Sequence, residues 1–459
     1  MRTILKNLSY IATFDGRDAE LRDADIAVDG RRIDQIGAGL RTHDADRVID
    51  GGGLLAIPGL INAHQHLYQA SLRTIPRLER SGMPAFLTVQ NTVALDRWRA
   101  GRLGAREQRA IARAALTESV LGGITTVADQ HLFFPGKQPE PYVEQTIAAA
   151  SEVGVRLHAC RGTITFSRAQ GGMVSDEQAE PIEAIVGHCR ELIAKYHDPE
   201  PFAMVRVALA PSGVVSDIPP LLDALAELAA EHDTVRLHTH LHHYEDTRLA
   251  NKLFGKSPWR ILQEHRFAND KLWVAHCPSA PAAEISEYVE AGIAIAHIPA
   301  ADLKLGWGLA PIRPWLDAGI PVGVGTTGSM TNDAGNLLGD LRVAALAHRA
   351  VEEDPQRWPS ARELLAMATR GSAACLGRDD LGVLAPGMAA DIACWDLTGV
   401  DRVGINDPVA ALLFTGLSQT ARLVLVNGEI VVEGGRPARA DPAEVARQAR
   451  DRIPADATR

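Results

Sequence analysis

In the stretch GLINAHQHLYQ, Gly59 to Gln69, two histidines stand one residue apart, His64 and His66, directly after an apolar run. A bare His-x-His pair is as ordinary on a strand as in a metal site. The spacing recurs in VRLHTH, where His238 and His240 fall on one side of an extended segment. His276 closes LWVAH. Any one of these histidines reads as a satisfied core or rim residue. Several at the ends of successive apolar runs read differently, because neutral imidazole is a good ligand for Zn2+ or Fe2+. His64, His66 and His240 are therefore the expected holders of one divalent transition metal, zinc first and ferrous iron second. His276 is expected as a ligand or its close neighbour.

The elements that must position these residues are short apolar runs: GITTVAD, GVRLHAC, MVRVALAP, TVRLHTH, KLWVAHC, GIAIAHIP and IPVGVGT. Amphipathic helical stretches such as REQRAIARAALTESVLGG and PPLLDALAELAAEH lie between them. Repeated β-then-α units mean parallel strands with crossover helices. Their number favours an α/β fold of the (β/α)8 TIM-barrel type over residues 58–374, although spacing alone leaves an open sheet as the alternative. In such a barrel, chemistry sits past the C-terminal ends of the strands, where the histidines fall. Residues 1–57 and 375–459 have another texture. Apolar alternation is broken by Asp-Gly and Gly-Gly turn signals, as in DADIAVDGRRIDQIG and ARLVLVNGEIVVEGGR. Both chain ends are expected to build one small β-sandwich domain, followed by a charged helix with a frayed tail.

Composition narrows the function classes. The net charge of −10 gives no basic footprint for nucleic acid. No run approaches about 18 apolar residues, so no membrane span is expected. The N-terminal stretch MRTILKNLSYIATFDGRD lacks the apolar core and cleavage site of a signal peptide. The five cysteines, Cys160, Cys189, Cys277, Cys375 and Cys394, show no CxxC spacing and suit reduced, buried thiols. The expectation is a cytoplasmic protein with a small-molecule substrate.

The set PGLINAHQH, LHTH, VAHC and GTTGSMTND, with GVLAPGMAADIACWDL near the C-terminus, resembles the amidohydrolase superfamily. Within it the chain resembles the branch of cytosine/guanine-type deaminases and triazine hydrolases. GGITTVADQHLFFPG, LGWGLAPIR, NLLGDLR and MATRGSAACLGR look closest to the triazine hydrolases. The resemblance implies a mononuclear hydrolase in which metal hydroxide adds to a carbon of a triazine, pyrimidine, purine or pterin ring and expels chloride, thiol, amine or ammonia. A homodimer is the default assembly of such proteins.

Two departures from the deaminase pattern bear on mechanism. The slot of an aspartate after the eighth strand holds Thr327, as in triazine hydrolases, and Thr327 takes the position of a fourth protein ligand. Threonine is no base at neutral pH. Yet three neutral histidines leave the cation uncompensated, and such a site lowers the pKa of water to about 7. The slot of a glutamate three residues after the strand-five histidine holds His243, with Glu245 and Asp246 just beyond. Beside a cation His243 is expected neutral, accepting a proton from water or holding the nucleophile. Glu245 is the alternative proton carrier if its loop bends inward. His276 would polarise substrate or hydroxide.

For the substrate, Trp307 in GWGL is placed to stack on a heteroaromatic ring. Gln130 and His131 are candidates for ring nitrogens, Met83, Phe86 and Leu87 for an apolar wall, and Asp302 for a polar contact. Asp333 reads as a loop-fixing residue. Two rival readings stand beside this one. The first is an aminohydrolase of a purine, pyrimidine or pterin. The second, of another class, is a non-catalytic barrel used as a binding or scaffold protein, against which the intact histidines argue.

Overall fold

The structure is a computed structural model in which residues 1–136, 140–172, 174–415 and 420–453 are described. Five strands open the chain: β1 (Arg2–Ala12), β2 (Glu20–Asp29), β3 (Arg32–Gly37), β4 (Arg47–Asp50) and β5 (Leu54–Pro58). Nine follow: β6 (Leu60–His66), β7 (Ile124–His131), β8 (Arg156–Thr163), β9 (Val205–Pro211), β10 (Arg236–Leu241), β11 (Leu272–His276), β12 (Ala294–His297), β13 (Val322–Val324) and β14 (Thr327–Gly328). The last four are β15 (Ile392–Asp396), β16 (Leu423–Val426), β17 (Glu429–Glu433) and β18 (Arg436–Pro437).

β6 to β14 form one parallel sheet in the order β13-β12-β11-β10-β9-β8-β7-β6-β14. Its two outer members, β13 and β14, are separated in the chain only by Gly325 and Thr326. One stretch thus pairs with β12 on one side and β6 on the other, and the sheet closes on itself. This is a (β/α)8 barrel whose eighth strand is β13 with β14. Alternation along the strands separates its two faces. Leu237 and Leu241 of β10 and Leu272 and Val274 of β11 pack outward with Leu221, Leu222 and Leu225 of the helix Pro219–Ala230. Ala128, Ala208, Ala210, Ala275 and Ala296 cluster with Trp273 on the other face. The Trp273 indole N–H donates to the Ala63 carbonyl, from β11 to the non-adjacent β6, at 3.0 Å. That bond crosses the barrel, so the alanine face is the interior.

The second sheet runs β18-β17-β16-β15-β5-β1-β2-β3, with β4 also on β1. Chain-terminal strands meet where β15 pairs with β5, giving the β-sandwich part built from both ends. Gly59 alone separates β5 from β6, and a Cβ there would lie 2.2 Å from the Thr125 side chain, so only glycine permits the crossing. The two parts are also tied by a buried ion pair between Arg156 at the start of β8 and Asp391 before β15, at 3.0 Å. The helix Ser372–Cys375 runs across the 374/375 division expected above. The charged C-terminal stretch forms the helix Pro442–Arg452, and the expected frayed tail, 454–459, lies outside the described residues. No helix among the described residues is long and apolar enough to cross a membrane. All five cysteines are buried and free.

Candidate active site

His64 and His66 are the last alternate residues of β6, rather than following it. The pairing of β6 with β7 slips between Asn62 and Gln65, a bulge that re-aims the strand end. His240 lies one residue from the end of β10, and His276 ends β11. The rings converge at the C-terminal mouth. Centroids of His64 lie 4.7 Å from His66, 4.9 Å from His240 and 5.4 Å from His276.

The hydrogen bonds of the outer ring nitrogens decide which nitrogen each histidine presents. A carbonyl oxygen only accepts, so a ring nitrogen bonded to one carries the hydrogen. His66 Nδ1–H donates to the Gln130 carbonyl at 2.7 Å, and His240 Nδ1–H to the Ser212 carbonyl at 2.6 Å. His238 Nδ1–H donates to the Trp273 carbonyl at 2.9 Å. That leaves a lone pair on His238 Nε2, which accepts from His64 Nδ1–H at 2.8 Å. His64, His66 and His240 therefore all turn an Nε2 lone pair inward. Burial holds them neutral: it pushes His66 down to about 4 and, with neighbouring imidazoles, His64 and His240 well below their ordinary range.

One nitrogen atom from each of the three lies within 4.8 Å of the others. His66 Nε2 and His240 Nε2 are 3.3 Å apart. Two lone pairs facing each other there repel unless a cation lies between them. Two nitrogens bound roughly 2.0–2.1 Å from one tetrahedral zinc are separated by about 3.3 Å. The three histidines are thus positioned to bind one metal ion. Thr327 Oγ1 lies 3.3 Å from His64 Nε2.

Strained backbone surrounds this centre. Thr327, His276, Cys277 and His242 have φ of 51°, 79°, 59° and 54°. A left-handed conformation costs a non-glycine residue roughly 1–2 kcal/mol, and β-branched Thr327 is an outlier even among these. His242 is held by its partners: Nε2 meets Glu284 Oε2 at 2.6 Å, and its carbonyl accepts from the Ser279 hydroxyl at 2.6 Å.

A cavity opens above the three histidines, lined by His66, Gln69, Phe86, Leu132, Ser212, Ser216, His240, His243, Asp246, His276, Leu305, Trp307, Thr327 and Thr331. His276 meets Asp302 Oδ1 through Nδ1 at 2.6 Å, and burial with the nearby imidazoles pushes it well below its ordinary range. His243 caps the helix Tyr244–Phe254. Its ring lies 4.5 Å from His276 and 4.2 Å from Trp307.

Other expected residues fall elsewhere. Gln130 donates its amide to the Ala210 and Pro211 carbonyls inside the barrel and serves the site through its own carbonyl. His131 donates to the Phe133 carbonyl and stacks on Tyr142; burial lowers it to about 3. Neither lines the cavity. Glu245 does not line it either; the carboxylate that does is Asp246. Phe86 is on the wall, while the side chains of Met83 and Leu87 lie outside the described residues. Asp302 does not line the cavity and meets His276 instead. Asp333 accepts from the Thr74 amide and pairs with Lys304, fixing a loop.

The motif reading assigns no role to three residues found at this site. His238 orients His64. Asp246 stands beside His243. Gln69 lies on the turn Leu67–Ser71 just past β6, with its buried Oε1 unpaired among the described residues. The only signal for Gln69 is its place three residues after His66.

A family model described as the amidohydrolase family matches residues 55–431. The 8-oxoguanine deaminase of Pseudomonas aeruginosa is 33% identical over 436 residues, 94% of each chain. The hydroxydechloroatrazine ethylaminohydrolase of Pseudomonas sp. (strain ADP) is 32% identical over 444 residues, 95% of this chain and 90% of that one. The crystal structure of atrazine chlorohydrolase TrzN from Arthrobacter aurescens TC1 complexed with zinc is 52% identical and superposes with a TM-score of 0.97 over 98% of this chain and 100% of that one. A glutamate-to-glutamine mutant of the same enzyme has been crystallised with zinc and atraton.

Proposed function

This chain belongs to the amidohydrolase family, and on that premise we propose that it hydrolyses a substituent off a carbon of an electron-poor N-heteroaromatic ring of the s-triazine kind. The departing group is chloride, thiol, amine or ammonia. The observation that carries this reading is the convergence of three neutral Nε2 atoms beneath a cavity walled by flat and apolar side chains.

A divalent metal, zinc in this reading, supplies the Lewis acidity that makes water nucleophilic near neutral pH. His64, His66 and His240 hold it, and Thr327 stands at the position of a fourth protein group. The chain's other residues bind and orient. Trp307, Phe86, Leu132 and Leu305 exclude water and hold a flat ring by its faces. Gln69 Oε1 accepts an N–H from the ring or its substituent. His276, steadied by Asp302, keeps an Nε2 at the reacting carbon and orients the attacking water. A reading as a purine, pyrimidine or pterin deaminase fits less well, because Thr327 and His243 stand where deaminases of this branch carry carboxylates.

The reading includes a cytoplasmic location, supported by the net charge of −10 and the free, buried cysteines, and a homodimer, the default assembly that the family resemblance implies, which light scattering measures. The function itself is tested by a panel of chloro-, methylthio- and amino-substituted triazines, pyrimidines and purines, with chloride, thiol and ammonia all assayed. Turnover of triazines is expected. Turnover of purines alone would favour the deaminase, and absence of both turnover and stoichiometric metal would favour a non-catalytic binding or scaffold protein.

A further inference from the structure

Resting on the hydrolase reading, we propose that His243 and Asp246 form a proton-relay dyad, Asp246 being the positioning residue. The dyad replaces the carboxylate carried at the His243 slot by deaminases of this branch and lets the site expel amines as well as chloride. Asp246 Oδ2 lies 3.1 Å from His243 Nδ1. This is ion-pair distance; with the hydrogen on Nδ1, facing the carboxylate, Nε2 is the free face of the ring. His243 Nε2 is buried and has no hydrogen-bond partner among the described residues. Both residues line the cavity. A buried ring nitrogen left unpaired in a cavity calls for a group that comes and goes.

The local fold explains why these two meet. His243 is the N-cap of the helix Tyr244–Phe254, and Asp246 is its third residue, so the side chains three apart turn toward each other. The peptide before the cap is fixed by the strained His242 and its bond to Glu284, and the Trp307 ring lies tilted beside the imidazole. The imidazole is thereby aimed rather than free to swing.

The chemistry balances without another reactant. Water adds through oxygen to the ring carbon, and one of its protons passes to His243 Nε2, giving an imidazolium that Asp246 steadies. When the carbon–nitrogen bond breaks, that proton moves from Nε2 to the departing nitrogen, and neutral amine leaves. The second water hydrogen stays with the new ring hydroxyl. With a chloro ring, chloride leaves as the anion and the proton goes to solvent, so the relay matters less.

The test uses the zinc-loaded protein with matched chloro- and amino-substituted s-triazines, in wild type, Asp246→Asn, His243→Glu and the double variant. An asparagine can hold the ring in either tautomer. Asp246→Asn is expected to lower kcat on the amino ring about 100-fold or more, with KM nearly unchanged and the chloro ring affected less than about 10-fold. In the His243→Glu background, where no tautomer needs fixing, the same change is expected to lose its selective effect. Histidine 15N spectra of wild type should show His243 as the Nδ1–H form, and Asp246→Asn should mix the tautomers. Should Asp246→Asn fail to fold, His243→Gln tests the claim, with selective loss on the amino ring expected. Equal losses on both rings, or an effect that persists beside Glu at position 243, would mean that Asp246 only caps the helix, and would overturn the proposal. A wild type that turns over neither ring overturns the hydrolase reading itself and the relay with it.

Discussion

His64 Nδ1 stands 2.8 Å from His238 Nε2, and His238 in turn is anchored through Nδ1 to the Trp273 carbonyl and stacked on the Trp273 ring at 4.3 Å. His238 never faces the cavity, yet it dictates which nitrogen His64 presents. Outer partners of this kind typically govern 10–100-fold in metal affinity. His238→Phe, which keeps a flat ring and deletes the acceptor, should weaken zinc binding by about that factor in competition with a chelator. Unchanged affinity would make His238 mere barrel filling.

The metal-free protein should be acid-sensitive through these same imidazoles. Burial lowers His66 from 6.5 to about 4. An unfolded chain takes up the proton below 6.5 while the folded one refuses it until about 4, so stability falls as pH drops across that window and levels off below it. For His66 alone the loss is roughly 3 kcal/mol. Urea unfolding of the metal-free protein at a series of pH values measures it. A midpoint flat from pH 7 to 4 would contradict the neutral, buried assignment.

Trp307 lines the cavity with its ring against His243. Aromatic stacking is worth about 0.5–1.5 kcal/mol beyond area, so Trp307→Ala should raise KM for triazines roughly 10-fold and leave kcat within a few-fold. A fall in kcat at constant KM would mean that the indole holds His243 rather than substrate.

Thr327 Oγ1 sits 3.3 Å from His64 Nε2 and carries no charge. Thr327→Asp would set a carboxylate beside the cation and make water there less acidic. The rising limb of the kcat/KM profile should move to higher pH. An unmoved limb, or one at lower pH, would contradict the role assigned to this threonine's neutrality.

Strand alternation and strand-end histidines made the barrel and its histidine centre legible before any coordinates. Position along a strand says where a side chain starts, and β10 needs no more than that to bring His240 to the mouth. What lay beyond reading depends on local turns. Gln130 and His131 share a strand end with true candidates, but Gln130 crosses to the Ala210 carbonyl and His131 turns onto Tyr142. Glu245 looked nearer to the missing glutamate than Asp246. Once the helix starts at Tyr244, however, it is the residue three past the cap whose carboxylate reaches back to His243. The bulge in β6 and the left-handed backbone of Thr327 and His276 likewise follow from the closed sheet, which no short window of sequence encodes.

The central claim is that water replaces a substituent at a ring carbon. Zinc-loaded protein incubated with a chloro-s-triazine in 18O-labelled water tests it most directly, with released chloride counted and the ring product weighed by mass spectrometry. The account predicts one 18O per ring product and one chloride per ring, with both lost in His66→Ala together with the zinc. Product that forms without the label, or label and chloride release that survive in His66→Ala, would contradict it.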